Sequence, residues 1–291
     1  MCTLTELFCL VDDFCHIFLP KWKANLLPMT SKKRDRESQM SLSEIMTIMI
    51  FFHQSNHITF KGFYTTKVMI DLKAYFPQLL SYNRFVERMK DVFVPLYCFI
   101  QSQPKAYTGI YFIDSTTLEA CHIKRAHSNK VFKHIATKAK STMGWYYGLK
   151  CHIVINELGD IMDFKITNAT TDDRKVVPQL TSKLSGKIVG DKGYLSQALS
   201  DDLLSRGLQL ITKVKKNMKN KLMTLLDKFL LRKRGLIETV NGQLKNISQI
   251  EHTRHRSPMN ALLNILSGIA AYTLKPYKPS IKLPQNLMES F

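Results

Sequence analysis

The sequence predicts a mixed α/β fold: a five-stranded sheet flanked by helices, preceded by an all-helical segment. Three observations predict it. Residues 110–113 (IYFI) form a short apolar run with β-branched and aromatic members, the pattern of a buried central strand. Residues 145–156 alternate with period two, and a turn containing Gly159 leads to a second strand-like run at 161–167, which together make an antiparallel hairpin. Two further short apolar runs, at 187–190 and 208–213, are separated by a helical pattern at 196–206 that stops at Gly207, the order expected of parallel strands joined by a crossover helix.

The elements follow in order. An apolar helix opens the chain and is expected to end near Pro20, with an apolar tail to Pro28 and a charged break over residues 30–39. Ser41 and Glu44 have the spacing of a capping box, in which each side chain satisfies the other's exposed backbone donor. The helix this opens, to Gln54, is nearly all apolar and reads as core. Residues 60–76 keep helical spacing until Pro77. Ser81 is placed to cap a helix to Gln101, with Phe85, Met89, Val92 and Leu96 inward. A helix-turn-helix reader of DNA with Tyr82, Asn83 and Arg84 at its recognition helix, and a purely structural cap, both fit this first segment of residues 1–104.

After Pro104 strands begin. Lys124, Arg125, Lys130, Lys133, Lys138 and Lys140 follow the first strand in a segment of weak periodicity, read as a loop or irregular arm. Such a run suits a solvated face or a phosphate-binding rim. Residues 170–173 (TTDD) have the chemistry of a helix N-terminus, so Asp172 and Asp173 are given structural roles. A basic run fills residues 213–221. Wound as one helix, residues 232–247 place Leu236, Val240, Leu244 and Ile247 on one stripe and Arg234, Glu238, Asn241 and Lys245 on the opposite one. An apolar helix at 259–274 is expected to pack on the sheet, closing a domain of residues 105–275. Residues 276–291 form a tail.

Lys plus Arg number 42 against 23 acids, a net charge of +19 over 291 residues. That balance favours a polyanionic partner. The apolar stretches are too short or interrupted to span a bilayer, and the first residues lack a basic leader and carry Asp12 and Asp13, so neither a membrane span nor a signal peptide is expected. The six cysteines include no C-x-x-C pair and read as reduced, intracellular core residues. Cys121-His122 and Cys151-His152 invite a zinc reading, but neighbours on a strand point to opposite faces, which argues against it.

Three acids carry chemistry only as a set. Asp114 alone reads as a strand-end cap, and Glu238 alone as a solvent-facing helix residue whose i, i+4 pairs contribute only about 0.2–0.5 kcal/mol each. Asp114 and Asp191, each closing a short apolar strand, join Glu238 on a late helix inside a strongly basic chain. Two-metal phosphoryl transfer on a nucleic acid requires such a set: hard divalent ions take carboxylate oxygens, and Lys and Arg neutralise the backbone.

The segments YFIDSTT, GWYYGLKCHIVIN, KIVGDKGY and RKRGLIETVNGQLK resemble the catalytic segments of bacterial insertion-sequence transposases of the DDE type. The resemblance covers roughly residues 105–275. SLSEI, HITFKGFY and SYNRF in the N-terminal part resemble the helical region of such proteins less specifically. Arg234, Glu238 and Lys245 match the R-x3-E-x6-K signature of the family, whereas the Tyr usual three residues before the Arg is Leu231 here. The resemblance implies an RNase H-like fold and a DNA transposase, with Asp114, Asp191 and Glu238 as catalytic residues and ligands of two Mg²⁺ ions, for which Mn²⁺ may substitute. It implies DNA contacts from Arg234 and Lys245, and Lys192, Asn241 and Lys150 are expected to join them. The expected partners are transposon-end inverted-repeat DNA, target DNA and a second copy of the chain in a dimer or higher assembly on DNA. The expected location is the bacterial cytoplasm, at the nucleoid. An RNase H-like nuclease or resolvase that cuts without joining, and a non-catalytic DNA-binding relative, stay open.

Overall fold

The computed structural model describes residues 3–25, 39–142, 144–213, 223–251 and 255–284. Most of the expected polar break at 30–39 and of the basic run at 213–221, and the last part of the tail, lie outside the described residues. The chain divides into two compact units, one formed by Met1–Gln103, Asn246–Ile250 and Ser257–Pro276, the other by Pro104–Lys245, Glu251–Arg256 and Tyr277–Phe291.

The first unit is helical. Helix α1 (Leu4–Asn25) buries Leu7, Val11 and Cys15. It does not end at Pro20 as expected but runs through it. Proline leaves the His16 carbonyl without its helical partner, and both residues are exposed, so water can take that place. Helix α2 (Leu42–Gln54) begins with the predicted capping box: Glu44 N–H donates to Ser41 Oγ (3.1 Å) and Ser41 N–H to Glu44 Oε2 (2.7 Å). The stretch expected to be one helix over 60–76 is a single turn, α3 (Phe60–Gly62), leading into a π-helix (Phe63–Asp71) and a 3₁₀ turn (Lys73–Tyr75). Thr65 and Thr66 hydroxyls bond back to the Lys61 and Gly62 carbonyls, competing with the regular ladder just where it widens. Helices α4 (Tyr82–Arg88) and α5 (Phe93–Ser102) replace the single predicted helix, with a 3₁₀ turn (Met89–Val92) between them. Pro95 has no N–H to carry a continuous ladder across that turn. Phe85, Met89, Val92 and Leu96 nevertheless all point inward.

The second unit is built on one sheet. Its strands are β1 (Ile110–Cys121), β2 (Thr137–Ser141), β3 (Gly144–Asn156), β4 (Ile161–Asn168), β5 (Gly186–Val189) and β6 (Leu208–Ile211). The order is β2-β3-β1-β5-β6, with β4 also on β3. One edge of β3 pairs antiparallel with β1; the other takes β2 along its first residues and β4 along the rest. Strands β5 and β6 add in parallel on the far side of β1. The sheet therefore has six strands, one more than expected. The addition, β2, lies in the segment read as an irregular arm. Its sequence TKAKS does alternate, with Lys138 and Lys140 outward, but it has no large apolar residue to signal a strand.

Helices α6 (Val177–Leu180) and α7 (Gln197–Ser205) contribute Val177, Leu180, Leu199 and Leu203 to a core that includes Tyr111 and Ile113 of β1, Val154 of β3 and Ile188 of β5. The single helix expected over 232–247 is again two, α8 (Leu225–Arg232) and α9 (Gly235–Asn246). Leu236, Val240 and Leu244 are buried as predicted; Ile247 lies beyond the helix and is 53% exposed. The Asp227 carboxylate accepts from Lys187 Nζ at 2.8 Å, tying α8 to β5.

Helix α10 (Pro258–Thr273) corrects the expectation that it packs on the sheet: it packs on α2 and α5 of the helical unit. Its nearly continuous apolar surface suits burial among other helices, which sequence alone does not distinguish from burial on a sheet. Gly268 permits a close approach, since a Cβ there would stand 2.4 Å from Ile250 Cγ2.

Gly148 makes a tighter one in the sheet unit, where a Cβ would meet the Leu118 carbonyl oxygen at 2.0 Å, beside the irregularity between Glu119 and Cys121. Gly148→Ala must force β1 and β3 apart there, and is expected to lower stability by about 1–3 kcal/mol. Urea denaturation checks this; an unchanged midpoint would mean the two strands have slack at that point.

Candidate active site

The parallel register of β1 and β5 sets the geometry of the site. Phe112 pairs with Val189, the last pair between the two strands. Asp114 and Asp191 each lie two residues beyond it, at equal offsets on neighbouring strands, whose axes are about 4.8 Å apart. Asp114 does not end its strand as the sequence suggested. Strand β1 continues to Cys121 beside β3, and what ends near Asp114 is only the pairing with β5. Asp191 caps a 3₁₀ turn (Lys192–Tyr194), its Oδ1 accepting from Gly193 N–H at 2.6 Å.

Helix α9 brings its polar stripe to β1. Asn241 Nδ2 donates to Asp114 Oδ2 at 3.1 Å, and Lys245 Nζ to Thr117 Oγ1 at 3.4 Å. Lys245 also pairs with Glu251 at 3.1 Å. One turn before Asn241, Glu238 is 57% exposed and pairs with Arg234 at 2.5 Å. Lys192 is exposed beside Asp191.

Burial pushes the Asp114 carboxyl up to about 6, and the charges of Asp191 and Glu238 add to that effect; the Ser115 backbone N–H and the Arg234 guanidinium oppose it. The three predicted acids are thus within electrostatic reach of one another. They are not gathered into a chelating cluster: among the described residues no group of three or more His, Cys, Asp or Glu side chains is disposed to hold a metal ion. Each acid instead has a protein donor, from Asn241, Gly193 or Arg234. The chemistry of the set still fits a hard divalent cation. It offers three carboxylates, one of them destabilised by burial, and the Asn241 Oδ1 atom, which is buried without a hydrogen-bond partner among the described residues.

Behind this site lies a polar network that the sequence reading missed. Asp172 caps the 3₁₀ turn (Asp173–Val176), as expected of a structural acid. Asp173 does more: it accepts from Ser115 Oγ at 3.0 Å and Lys150 Nζ at 2.8 Å. Lys150, expected to contact DNA, is thereby occupied inside the unit, donating also to the Thr171 carbonyl at 3.0 Å. His152, fully buried, holds Thr167 Oγ1 at 2.9 Å and has its Nδ1 3.7 Å from Asp173. Burial pushes its imidazole down to about 4, so it is neutral at pH 7. Tyr194 is buried beside Ser115, and its hydroxyl's acidity is suppressed first by burial and then by Asp173, Asp114 and Asp191. The signal available in the sequence was Lys150 and His152 on one stripe of β3 with Val154: a cation on a buried face implies a buried acid to meet it.

The sequence profile described as "Transposase DDE domain" matches residues 105–258, more than half of the chain. The chain belongs to the DDE transposase family. Among solved structures it is similar to the piggyBac transposase in a synaptic complex with hairpin DNA, with a TM-score of 0.50 and 12% identity over 94% of this chain and 74% of that one. It also aligns with the Mos1 mariner transposase in a paired-end complex with Mn, at TM-score 0.30 and 10% identity over 90% of this chain and 84% of that one, a score too low to argue from. The first likeness shows a shared fold. No curated protein sequence matches the chain.

The raised Asp114 carboxyl gives the transposase a definite pH dependence. An acid whose folded pKa exceeds its unfolded value binds more protons folded than unfolded between the two, so stability falls as pH rises from about 4 to about 6. Asp114→Asn removes the buried charge and keeps an acceptor for Asn241. Measured in EDTA at pH 7.5, this variant is expected to be more stable than wild type by up to about 3 kcal/mol, with the difference shrinking towards pH 4. Thermal melts across that range check it; equal stabilities at pH 7.5 would refute the buried-charge account.

Proposed function

We propose that this transposase cuts phosphodiester bonds at transposon ends and transfers the freed 3′-hydroxyl into target DNA, with Asp114, Asp191 and Glu238 as the catalytic acids. The observation that carries the reading is the equal offset of Asp114 and Asp191 on β1 and β5, within electrostatic reach of Glu238 on α9. Membership of the DDE family supports it.

Asp114, Asp191 and Glu238 would hold two divalent ions, Mg²⁺ or Mn²⁺. Such ions, when bound, activate an oxygen nucleophile and neutralise charge on the reacting phosphate. The protein's own part is positional. Asn241 holds the Asp114 carboxylate from one side, and the Gly193 N–H holds that of Asp191. Arg234 pairs with Glu238 on the helix, and would become a phosphate contact if Glu238 turned to a cation. Lys192, exposed next to Asp191, and Lys245, over Thr117, supply further positive charge along the DNA path. Lys150 is left out of this set because Asp173 occupies it. Hydrolysis and strand transfer are the same displacement with different oxygen nucleophiles, so one site serves both.

We further propose that the helical unit contributes to holding transposon-end DNA, with Asn83 and Arg84 exposed at the start of α4. Joining two ends requires two active sites, hence a dimer or larger assembly on DNA. The proposed setting is the bacterial nucleoid; no described helix is long and apolar enough to cross a membrane.

Nicking and end joining of supercoiled plasmid carrying the element's ends, in Mg²⁺ or Mn²⁺, tests the reading. Asp191→Asn and Glu238→Gln are expected to lose activity by at least about a hundredfold with DNA binding retained. Activity surviving in both would place the chemistry elsewhere. Cutting without any joined product would favour a nuclease or resolvase.

A further inference from the structure

The acid-free part of the sheet unit offers a second nucleic-acid surface. Between Glu119 and Glu157 the sequence has no Asp or Glu. Within that interval Lys124, Arg125, Lys130, Lys133, Lys138 and Lys140 are all exposed. Among the described residues none of these six pairs with an acid. Some surface cations elsewhere do have one: Lys67, Arg84, Arg88 and Arg206 each pair with an acid three or four residues away.

The segment is anchored. Ala126, Phe132 and Ala136 are buried, the 3₁₀ turn (Ile123–Arg125) follows β1 directly, and β2 is hydrogen-bonded to β3. Cations on a fixed frame lose less entropy on meeting phosphates than cations on a loose tail. At the turn end of the β2–β3 hairpin stands Trp145, 62% exposed, paired in register with Lys140. An exposed indole flanked by unpaired lysines is a stacking platform with its own phosphate contacts: every base has a face to stack on, and each lysine releases a counterion. A protein partner would call for a broader apolar patch than this single ring among lysines.

We propose that residues 122–142 and 144–147 form a DNA-binding surface separate from the carboxylate site, in which the six cations track the phosphate backbone and Trp145 stacks on a base displaced from its helix. It rests on the transposase reading for the identity of the nucleic acid and adds where, and how, a second stretch of DNA is held. The register also gives a spacing. Asp114 pairs with Ile153, eight residues along β3 from Trp145. At about 3.3 Å per residue that is about 26 Å, or about seven to eight nucleotides of a strand at 3.4 Å each. The stacked base is therefore away from the scissile phosphate.

The test uses the full chain in EDTA, so that binding is read apart from chemistry. The probes are a paired duplex, the same duplex with an internal three-base mismatch, and the single strand, each with 2-aminopurine at the mismatched position. Lys138→Gln/Lys140→Gln is expected to weaken binding to all three and to reduce the slope of log K against log salt by about 1.4–1.8. Trp145→Ala is expected to weaken binding to the mismatched duplex and the single strand about tenfold, leave the paired duplex nearly unchanged, and abolish the change in 2-aminopurine emission; Trp145→Phe should restore most of both. Unchanged affinity, slope and emission in these variants overturn the inference. So does a Trp145→Ala variant that loses self-association without DNA while DNA binding stays intact, since the ring would then belong to an interface between copies. If wild type nicks DNA and Glu238→Gln does not, while the Trp145 and lysine variants bind normally, this inference fails alone. If those variants lose binding as expected but no form of the protein cuts DNA, the transposase chemistry fails alone.

Discussion

The charge on Asp114 is the constraint that organises the sheet unit. A carboxylate in a largely buried position, with two more within electrostatic reach, is held against both desolvation and like-charge repulsion. The Ser115 backbone N–H, the Asn241 hydrogen bond and the Arg234 charge, which is shared with Glu238, offset that cost only in part, since the carboxyl stays raised. The fold holds the arrangement because the elements that carry the acids are fixed by interactions independent of them. Strand β1 is paired along nearly its whole length with β3, the Lys187–Asp227 ion pair ties α8 to β5, and Leu236, Val240 and Leu244 bury the other face of α9. A site whose parts repel is stable only when something else positions them, and it gains most from a cation that relieves the repulsion.

That logic explains which parts were legible in the sequence. Local rules with a single physical cause could be read directly. The capping box at Ser41 and Glu44 formed as spaced, the period-two run at 145–156 became β3, and the apolar runs ending near Asp114 and Asp191 became neighbouring parallel strands. The apolar and polar stripes of α9 were also visible, because a helix period needs no knowledge of the partner. What could not be read depended on partners distant in sequence. The apolar surface of α10 states that it is buried but not by what, so its place among α2 and α5 was missed. Strand β2 has no apolar residue of size and exists because β3 offers it an edge.

Asp173 shows the same limit within the site. Its neighbours in sequence, Thr170 to Asp172, describe a helix start, and Asp172 does cap one. Its actual partners, Ser115 and Lys150, lie 58 and 23 residues away. The internal partner of Lys150 was hidden for the complementary reason. A lysine in a basic chain near a candidate site suggests DNA, but on β3 its side chain shares the stripe of His152 and Val154, where an unpaired ammonium would be costly.

Net charge alone therefore ranks cations poorly in this protein. The +19 total fixes the class of partner but not which residues meet it. Their pairing does better. Lys150 and Lys187 are matched by internal acids, and Lys67, Arg84 and Arg206 by acids on their own helices or turns. A cation already matched must first give up its acid to meet a phosphate, as Arg84, Arg234 and Lys245 would. The six exposed cations from Lys124 to Lys140 have no such exchange to make, and neither does Lys192 beside Asp191. Both places, one next to the acids proposed to be catalytic and one at the turn of the β2–β3 hairpin, are therefore open to a polyanion. A DNA that touches both must run along β1 and β3, and a rigid sheet then fixes the distance between the reacting phosphate and the second contact.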